Sequence, residues 1–83
     1  MPYFVYMLLT KHSGKFISYV GYTNNLINRL SLHNSSKGAK FTKGKKWEII
    51  YSKKYLNKSK AMKDEYKLKK DYKLRNKIKS KFI

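Results

Sequence analysis

The stretch YFVYMLLT, residues 3–10, decides the fold of this chain, because apolar and aromatic side chains follow one another there almost without interruption. A short apolar run rich in aromatic and β-branched residues is typical of a strand. Polar residues do not alternate with the apolar ones, so neither face of the strand is expected to meet water. The sequence therefore predicts a first strand that is covered on both of its faces.

The other elements are predicted outward from this strand, in the order β-β-α-β-α-α. They are strands at 16–22 and 47–52, and helices at about 24–34, from 57 or 59 onward, and at 72–83. A turn at Ser13-Gly14 joins the first two strands as an antiparallel hairpin. With 83 residues we expect one α/β domain over 1–83, a three-stranded antiparallel sheet flanked by helices.

The first helix has clear signals for its start and for its buried face. Thr23 and Asn24 are both suited to cap its N-terminus. Leu26, Ile27 and Leu30 recur at helical spacing and predict one buried stripe.

Charge dominates the composition. Lys and Arg total 21 against four Asp and Glu, which gives a formal charge of +17. Such an excess makes polyanions the natural partners, nucleic acid first, because neutralised phosphates release counterions. The longest apolar run is far too short to span a membrane, and no cysteine is present for a disulfide or a thiolate metal site. We therefore expect a cytoplasmic, monomeric protein that binds nucleic acid and no membrane.

Several polar residues lie where they would have chemical roles. Tyr6 and Tyr19 lie in the paired strands, where their phenols can approach each other; the alternative is that both are core tyrosines. Arg29 and His33 are four residues apart, so a helix places them on one face; the alternative is a solvated face. Only Arg29 and Arg75 among the basic residues are arginines, whose planar fork suits phosphate.

Glu65 falls in an otherwise apolar stripe of the second helix, with Ala61, Leu68 and Tyr72. An unpaired buried carboxylate would cost several kcal/mol, so this one should have a partner or bind a cation at the edge of the core. Mg²⁺ often takes only one or two protein carboxylates and keeps its waters. The alternative is an ion pair with Lys69 along the helix.

Taken in order, Phe4-Val5-Tyr6, Tyr19-Val20-Gly21, Arg29, His33 and Glu65 resemble the pattern of the GIY-YIG nuclease domain. The first triplet departs from that pattern at its glycine, and the second matches it well. Two further segments, 33–42 and 59–70, resemble the small stand-alone bacterial members of the family. The resemblance covers the chain from residue 3 to residue 83.

That resemblance implies a metal-dependent endonuclease and assigns roles to the residues that match. Glu65 would hold one divalent metal ion, Mg²⁺ or Mn²⁺. Tyr6 would lie beside the attacking water as general base, with His33 as the rival for this role. Tyr19 and Arg29 would contact the scissile phosphate. Because a free phenol titrates near ~10, base action by Tyr6 needs help from a neighbour.

A basic loop follows the first helix and predicts the binding surface. Its lysines are Lys37, Lys40, Lys43, Lys45 and Lys46. Lysines on a loop position a polyanion without reading bases, so we expect DNA binding with little sequence specificity. The rival hypothesis is a non-catalytic nucleic-acid-binding module on the same fold, with Tyr19 or Tyr22 as a stacking platform. Asn76, in the lysine-rich tail, is left outside the site.

Overall fold

The middle strand of the sheet is the apolar run that the sequence analysis identified. The computed structural model describes residues 2–83, and in it β1 lies between β2 and β3 with antiparallel pairing on both sides. The elements are β1 (Tyr3–His12), β2 (Lys15–Thr23), α1 (Leu26–Asn34), a 3₁₀ turn (Lys40–Thr42), β3 (Glu48–Tyr55), α2 (Lys58–Lys70) and α3 (Tyr72–Ser80). The predicted order β-β-α-β-α-α is confirmed.

Both faces of β1 are covered, as its uninterrupted apolar character predicts. Val5, Met7 and Leu9 point to one face, where they pack in a buried cluster with α2 and with Ile78 of α3. Tyr6 and Leu8 point to the other face, in a second cluster that α1 and Trp47 complete. The sheet therefore separates two small cores, and β1 contributes to each of them.

The hairpin between β1 and β2 places Tyr6 directly opposite Gly21, and Leu8 opposite Tyr19. Its turn residues Ser13 and Gly14 both have positive φ, which a tight hairpin turn requires. A Cβ atom at position 21 would lie 2.5 Å from the Tyr6 hydroxyl oxygen. Glycine is therefore required there by the phenol of the neighbouring strand.

The N-cap of helix α1 lies one residue after Asn24 and two after Thr23, the two predicted caps. Asn25 is the N-cap, and its side chain accepts a hydrogen bond from the Asn28 amide at 3.0 Å. Thr23 still belongs to β2, because it pairs with Phe4 at the end of the hairpin. Ile27, predicted in the buried stripe, is 84 % exposed. Leu26 and Leu30 pack against the sheet, and Ile27, about 100° around the helix from Leu26, lies on the solvent side.

The later elements also differ in their bounds from the predictions. β3 extends past the predicted 47–52 to Tyr55, because its pairing with β1 continues to Tyr3 despite two exposed lysines. Asn57, one of the two predicted caps, does cap α2. Tyr72 was predicted to share the stripe of Ala61, but it is 66 % exposed. The helix breaks at Asp71, which ends α2 and caps α3, so the periodicity does not continue across it.

Because Gly21 lies so close to the Tyr6 ring, we predict that one methyl group added at position 21 lowers the stability of the fold. We expect Gly21→Ala to lower the free energy of unfolding by about 1–3 kcal/mol, the usual range for overpacking, as measured by urea denaturation. In a Tyr6→Ala background the ring is absent, so the same change at position 21 should cost much less. An equal cost in both backgrounds would show that the phenol is not what requires the glycine.

Candidate active-site cleft

A cleft of about 470 Å³ opens where the end of β2, the start of α1 and the first turns of α2 meet. It is lined by Tyr3, Tyr6, Tyr19, Gly21, Tyr22, Thr23, Asn24, Arg29, Lys58 and Glu65. Residues from four elements thus converge on one concave surface that carries phenols, one guanidinium, one ammonium and one carboxylate. A site of this kind suits a charged ligand more than an apolar one.

Four of the five residues singled out for catalysis or metal binding line this cleft, namely Tyr6, Tyr19, Arg29 and Glu65. The fifth, His33, lies beneath it and is fully buried. Arg29 and His33 share one side of α1, as their spacing predicts.

The five loop lysines lie outside the lining of this cleft. Lys37, Lys40, Lys43 and Lys46 are exposed, and Lys45 extends over the ring of Phe41. Lys58, at the first turn of α2, lines the cleft instead. No pattern in the sequence distinguishes Lys58 from the other lysines.

A chain of hydrogen bonds runs from the cleft into the core. The Tyr6 hydroxyl lies 2.8 Å from Nε2 of His33, and Nδ1 of His33 lies 2.8 Å from the Thr42 hydroxyl. The Thr42 hydroxyl in turn donates to the carbonyl oxygen of Ala39 at 2.8 Å. Every polar atom along this path therefore has a partner.

The last bond sets the direction of all the others. A carbonyl oxygen only accepts, so the single proton of the Thr42 hydroxyl is directed to Ala39. Thr42 must then accept from His33, which places the imidazole proton on Nδ1. With that tautomer Nε2 is a bare acceptor, and Tyr6 donates its phenolic proton to it. The arrangement holds the ring orientation and the tautomer together, as second partners do for catalytic histidines.

Burial also favours the protonation states of His33 and Tyr6 that this direction of hydrogen bonding requires. Burial, assisted by the positive charge of Arg29, lowers the pKa of His33 below its usual 6.5, so the imidazole is neutral at neutral pH. Burial also raises the pKa of Tyr6 above its usual 10.0, although hydrogen bonding and charge from Arg29 act in the opposite direction. Tyr6 is therefore a neutral phenol at rest, with its proton directed toward a neutral histidine.

The loop after α1 is held in place by its own polar contacts. The side chain of Asn34 accepts from the backbone amide of Trp47 at 2.6 Å and donates to its carbonyl at 3.1 Å. The indole of Trp47 donates to the carbonyl of Thr42 at 3.0 Å. A Cβ at Gly38 would lie 2.5 Å from Nδ1 of His33, so only glycine allows the loop this close to the ring.

Asn34, Gly38, Thr42 and Trp47 were not singled out by the sequence analysis. Three of them lie in the segment 33–42 that resembles small bacterial GIY-YIG proteins, and that resemblance was the one signal available. It gave no role to any of them, because a loop has no periodicity that indicates which side chain points inward.

Glu65 lies at the cleft with 15 % of its side chain exposed, and its Oε2 is 3.4 Å from the ammonium of Lys69. The ion pair considered as the alternative is therefore present. Asp64, its neighbour, points away and accepts a hydrogen bond from Tyr55. Within residues 2–83 there is no group of three or more His, Cys, Asp or Glu side chains that could enclose a metal. This donor set fits a hard cation that retains most of its waters, such as Mg²⁺, and does not fit zinc.

Among residues 2–83, no helix is both long enough and apolar enough to cross a bilayer.

The chain is similar to a known domain family, to several bacterial proteins and to one solved structure. A family model described as the GIY-YIG catalytic domain matches residues 2–79. A UPF0213 protein of Oceanobacillus iheyensis is 46% identical over 68 residues, which cover 81% of this chain and 76% of that protein. A UPF0213 protein of Staphylococcus haemolyticus is 37% identical over 68 residues, which cover 81% and 79%. The NMR structure of a UPF0213 protein from Bacillus halodurans matches 96% of this chain and 84% of its own, with 30% identity and a TM-score of 0.51.

The direction of the hydrogen-bond chain predicts what the loss of the Thr42 hydroxyl would do. In Thr42→Val the Nδ1 proton of His33 loses its buried acceptor, which should cost about 1–3 kcal/mol of unfolding free energy. The Nε2–H tautomer should also become populated, and ¹⁵N NMR of the imidazole detects this. Thr42→Ser keeps the hydroxyl and is the matched control. An unchanged tautomer in Thr42→Val would contradict the assigned direction.

The lowered pKa of His33 predicts a loss of stability on mild acidification. Between the unfolded-state value near 6.5 and the lower folded-state value, the unfolded chain binds more protons, so stability falls as pH falls through this window. We expect urea denaturation to give a smaller unfolding free energy at pH 5.5 than at pH 7.5.

His12 is exposed and provides the control, because His12→Gln should keep this dependence. The same variant leaves His33 as the one histidine whose ring protons are followed by NMR through the titration. A pH at the midpoint of that titration above 6.5 would contradict the prediction.

Proposed function

This chain belongs to the GIY-YIG catalytic domain family, and we propose that it is a metal-dependent endonuclease that hydrolyses phosphodiester bonds in DNA with little sequence specificity. One observation carries the proposal. A single cleft gathers a phenol that donates to a buried neutral histidine, a guanidinium and a half-buried carboxylate. Phosphodiester hydrolysis requires a means of deprotonating water, a cation at the phosphoryl oxygens and a Lewis acid.

Tyr6 and His33 act in series as the proton acceptor. His33 is fully buried, and both of its ring nitrogens are hydrogen-bonded to other side chains. It therefore cannot contact a water in the cleft. Tyr6 lines the cleft and accepts the proton of the attacking water on its hydroxyl oxygen while it passes its own proton to Nε2 of His33. The water oxygen bonds to phosphorus, and the bond from phosphorus to the leaving oxygen breaks. This relay removes the need for a resting phenolate, which the raised pKa of Tyr6 disfavours.

Arg29 has two effects in this scheme. Its guanidinium lies at the cleft, where it pairs with the phosphate oxygens and stabilises the charge that grows on them. Its positive charge also lowers the pKa of His33. An incoming phosphate offsets that charge, so substrate binding makes His33 a better base at the moment when it is needed.

Glu65 would hold the Mg²⁺ or Mn²⁺ ion, which when bound polarises a phosphoryl oxygen and stabilises the leaving oxygen. Lys69 is the present partner of Glu65, and its side chain is 49 % exposed. An i,i+4 helical ion pair with one exposed partner contributes little to stability, so a metal ion can replace Lys69 as the partner of Glu65 at small cost. Lys58 and the N-terminus of α2 add positive potential to the same cleft, which suits phosphate binding.

The rival function is a non-catalytic nucleic-acid-binding module. The observation that favours it is the Glu65–Lys69 ion pair, which accounts for the carboxylate without any metal. A formal charge of +17 supports nucleic-acid binding under either hypothesis. The two hypotheses therefore differ only in whether cleavage occurs and depends on Glu65.

The proposal predicts a defined loss of cleavage in three variants. Labelled single-stranded, duplex and branched DNA, and RNA, are incubated with the protein in Mg²⁺, Mn²⁺ or EDTA. We expect metal-dependent cleavage that falls about 100-fold or more in Glu65→Gln, Arg29→Lys and Tyr6→Phe. Glu48→Gln changes an exposed carboxylate on β3 and should retain full activity. Binding without cleavage by wild type, or equal cleavage by Glu65→Gln, would instead favour the binding module.

A further inference from the structure

A second, smaller cleft of about 240 Å³ lies next to the first, and Tyr19 lines both of them. Its lining is Ser18, Tyr19, Val20, Phe41, Lys69 and Arg75. It is below the roughly 300–1,000 Å³ typical of pockets for drug-sized ligands, so it suits a smaller group. A polymer that has its phosphate in the first cleft can therefore place a neighbouring unit in the second.

An aromatic platform forms one wall of this second cleft. Phe41 is 54 % exposed, and its ring stacks on Tyr19 with centroids 6.1 Å apart and planes inclined by 21°. Tyr19 is supported from behind by Trp47 and His33, at centroid distances of 6.5 and 5.1 Å. Because Thr42 is anchored by its hydrogen bonds, the 3₁₀ turn holds Phe41 beside Tyr19. The ammonium of Lys45 lies 5.7 Å from the centroid of the Phe41 ring, so a base that stacks on this ring takes the place of Lys45.

Two cations, Lys69 and Arg75, also line this second cleft. Arg75 is one of the two arginines in a chain dominated by lysine, and its Nε is buried without a hydrogen-bond partner among residues 2–83. A buried donor without an acceptor costs about 1–3 kcal/mol, and an anionic oxygen is the acceptor that a guanidinium pairs with best. Lys69 lies beside it and connects the two clefts, because its ammonium contacts Glu65.

A stacking surface and a guanidinium in one cleft match the two parts of a nucleotide, the base and the phosphate. The free edge of β2 also runs along Ser18 and Val20, which raises the alternative that a peptide strand adds to the sheet. Lys69, Arg75 and the charge of +17 favour the polyanion over a peptide. Phe41 carries no polar group, so the platform accepts any base.

We propose that the cleft of Phe41 and Arg75 is a subsite for one unpaired nucleotide adjacent to the scissile phosphate. This inference rests on the proposed nuclease function for the position of that phosphate. A base reaches the face of Phe41 only after it leaves its stack, which costs a few kcal/mol in a duplex and little in a single strand. The protein therefore prefers single-stranded or flapped nucleic acid over continuous duplex.

The test measures binding in EDTA, so that it does not depend on cleavage. Fluorescence anisotropy with a labelled single-stranded 12-mer and its duplex should show tighter binding of the single strand. A 2-aminopurine in the oligonucleotide should be quenched on binding, because its ring stacks on Phe41. In Phe41→Leu we expect about a 5- to 100-fold weaker affinity for the single strand and loss of the quenching, with little change for duplex. Phe41→Trp should retain both properties.

Two matched controls separate the subsite from general effects. Phe16 is another exposed aromatic, in the hairpin and under Lys11, and Phe16→Leu should bind as wild type does. Arg75→Gln should weaken single-strand binding more than Lys77→Gln, which removes an exposed cation of the same helix.

The outcomes for the two proposals are distinct. A protein that never cuts but loses single-strand preference in Phe41→Leu keeps the subsite and refutes the nuclease. A protein that cuts normally while Phe41→Leu and Arg75→Gln match their controls refutes the subsite. Displacement of bound oligonucleotide by neutral peptides equally well in wild type and Arg75→Gln would identify the β2 edge as a peptide site and also overturn the inference.

Discussion

A chain of buried hydrogen bonds that ends on the carbonyl oxygen of Ala39 organises the α1 side of this protein. It joins β1, α1 and the loop, because Tyr6, His33 and Thr42 come from these three parts of the chain. Buried polar groups are tolerated only when each has a partner, so the three parts must adopt their relative positions together. The direction of the final bond then determines where every proton lies, and the chemistry of the cleft follows from that direction.

Two glycines are required by this same chain. Gly21 leaves room for the Tyr6 phenol across the hairpin, and Gly38 lets the loop lie against the ring of His33. Neither has a positive φ, so conformational freedom is not the reason for either. Their role is to admit a ring where any side chain would collide, and this explains why the second signature triplet ends in glycine.

The charge of the protein and its small size act against a compact fold, and the sheet compensates by burying both faces of β1. Self-repulsion among the basic side chains destabilises the compact state, and a bound polyanion relieves it. The two clefts that share Tyr19 bring Arg29, Lys58, Lys69 and Arg75 to neighbouring surfaces, and Lys69 connects the clefts through its contact with Glu65. Under the proposed function, binding of nucleic acid would therefore also stabilise the fold through the same positive charges.

Much of the fold follows from local patterns in the sequence. The apolar run at 3–10 is a strand covered on both faces, and the order of the elements follows from their periodicity. Helical spacing places Arg29 and His33 on one side of α1, and an isolated carboxylate in an apolar stripe indicates that Glu65 is half-buried. These features depend on residues that are close in the chain, where the geometry of helix and strand is known in advance.

Only the tertiary structure shows how distant or irregular segments meet. Thr23, Asn24 and Asn25 are all suited to cap α1, so local sequence does not decide between them. Asn25 is the cap because β2 continues to Thr23, where it still pairs with Phe4. Thr42 and Phe41 are adjacent in a loop, yet one is buried under His33 and the other is exposed beside Tyr19. Arg75 reaches the edge of β2 because the helix breaks at Asp71. A loop or a helix break has no repeating pattern that predicts which way a side chain points. Packing against the rest of the structure therefore decides where these side chains lie.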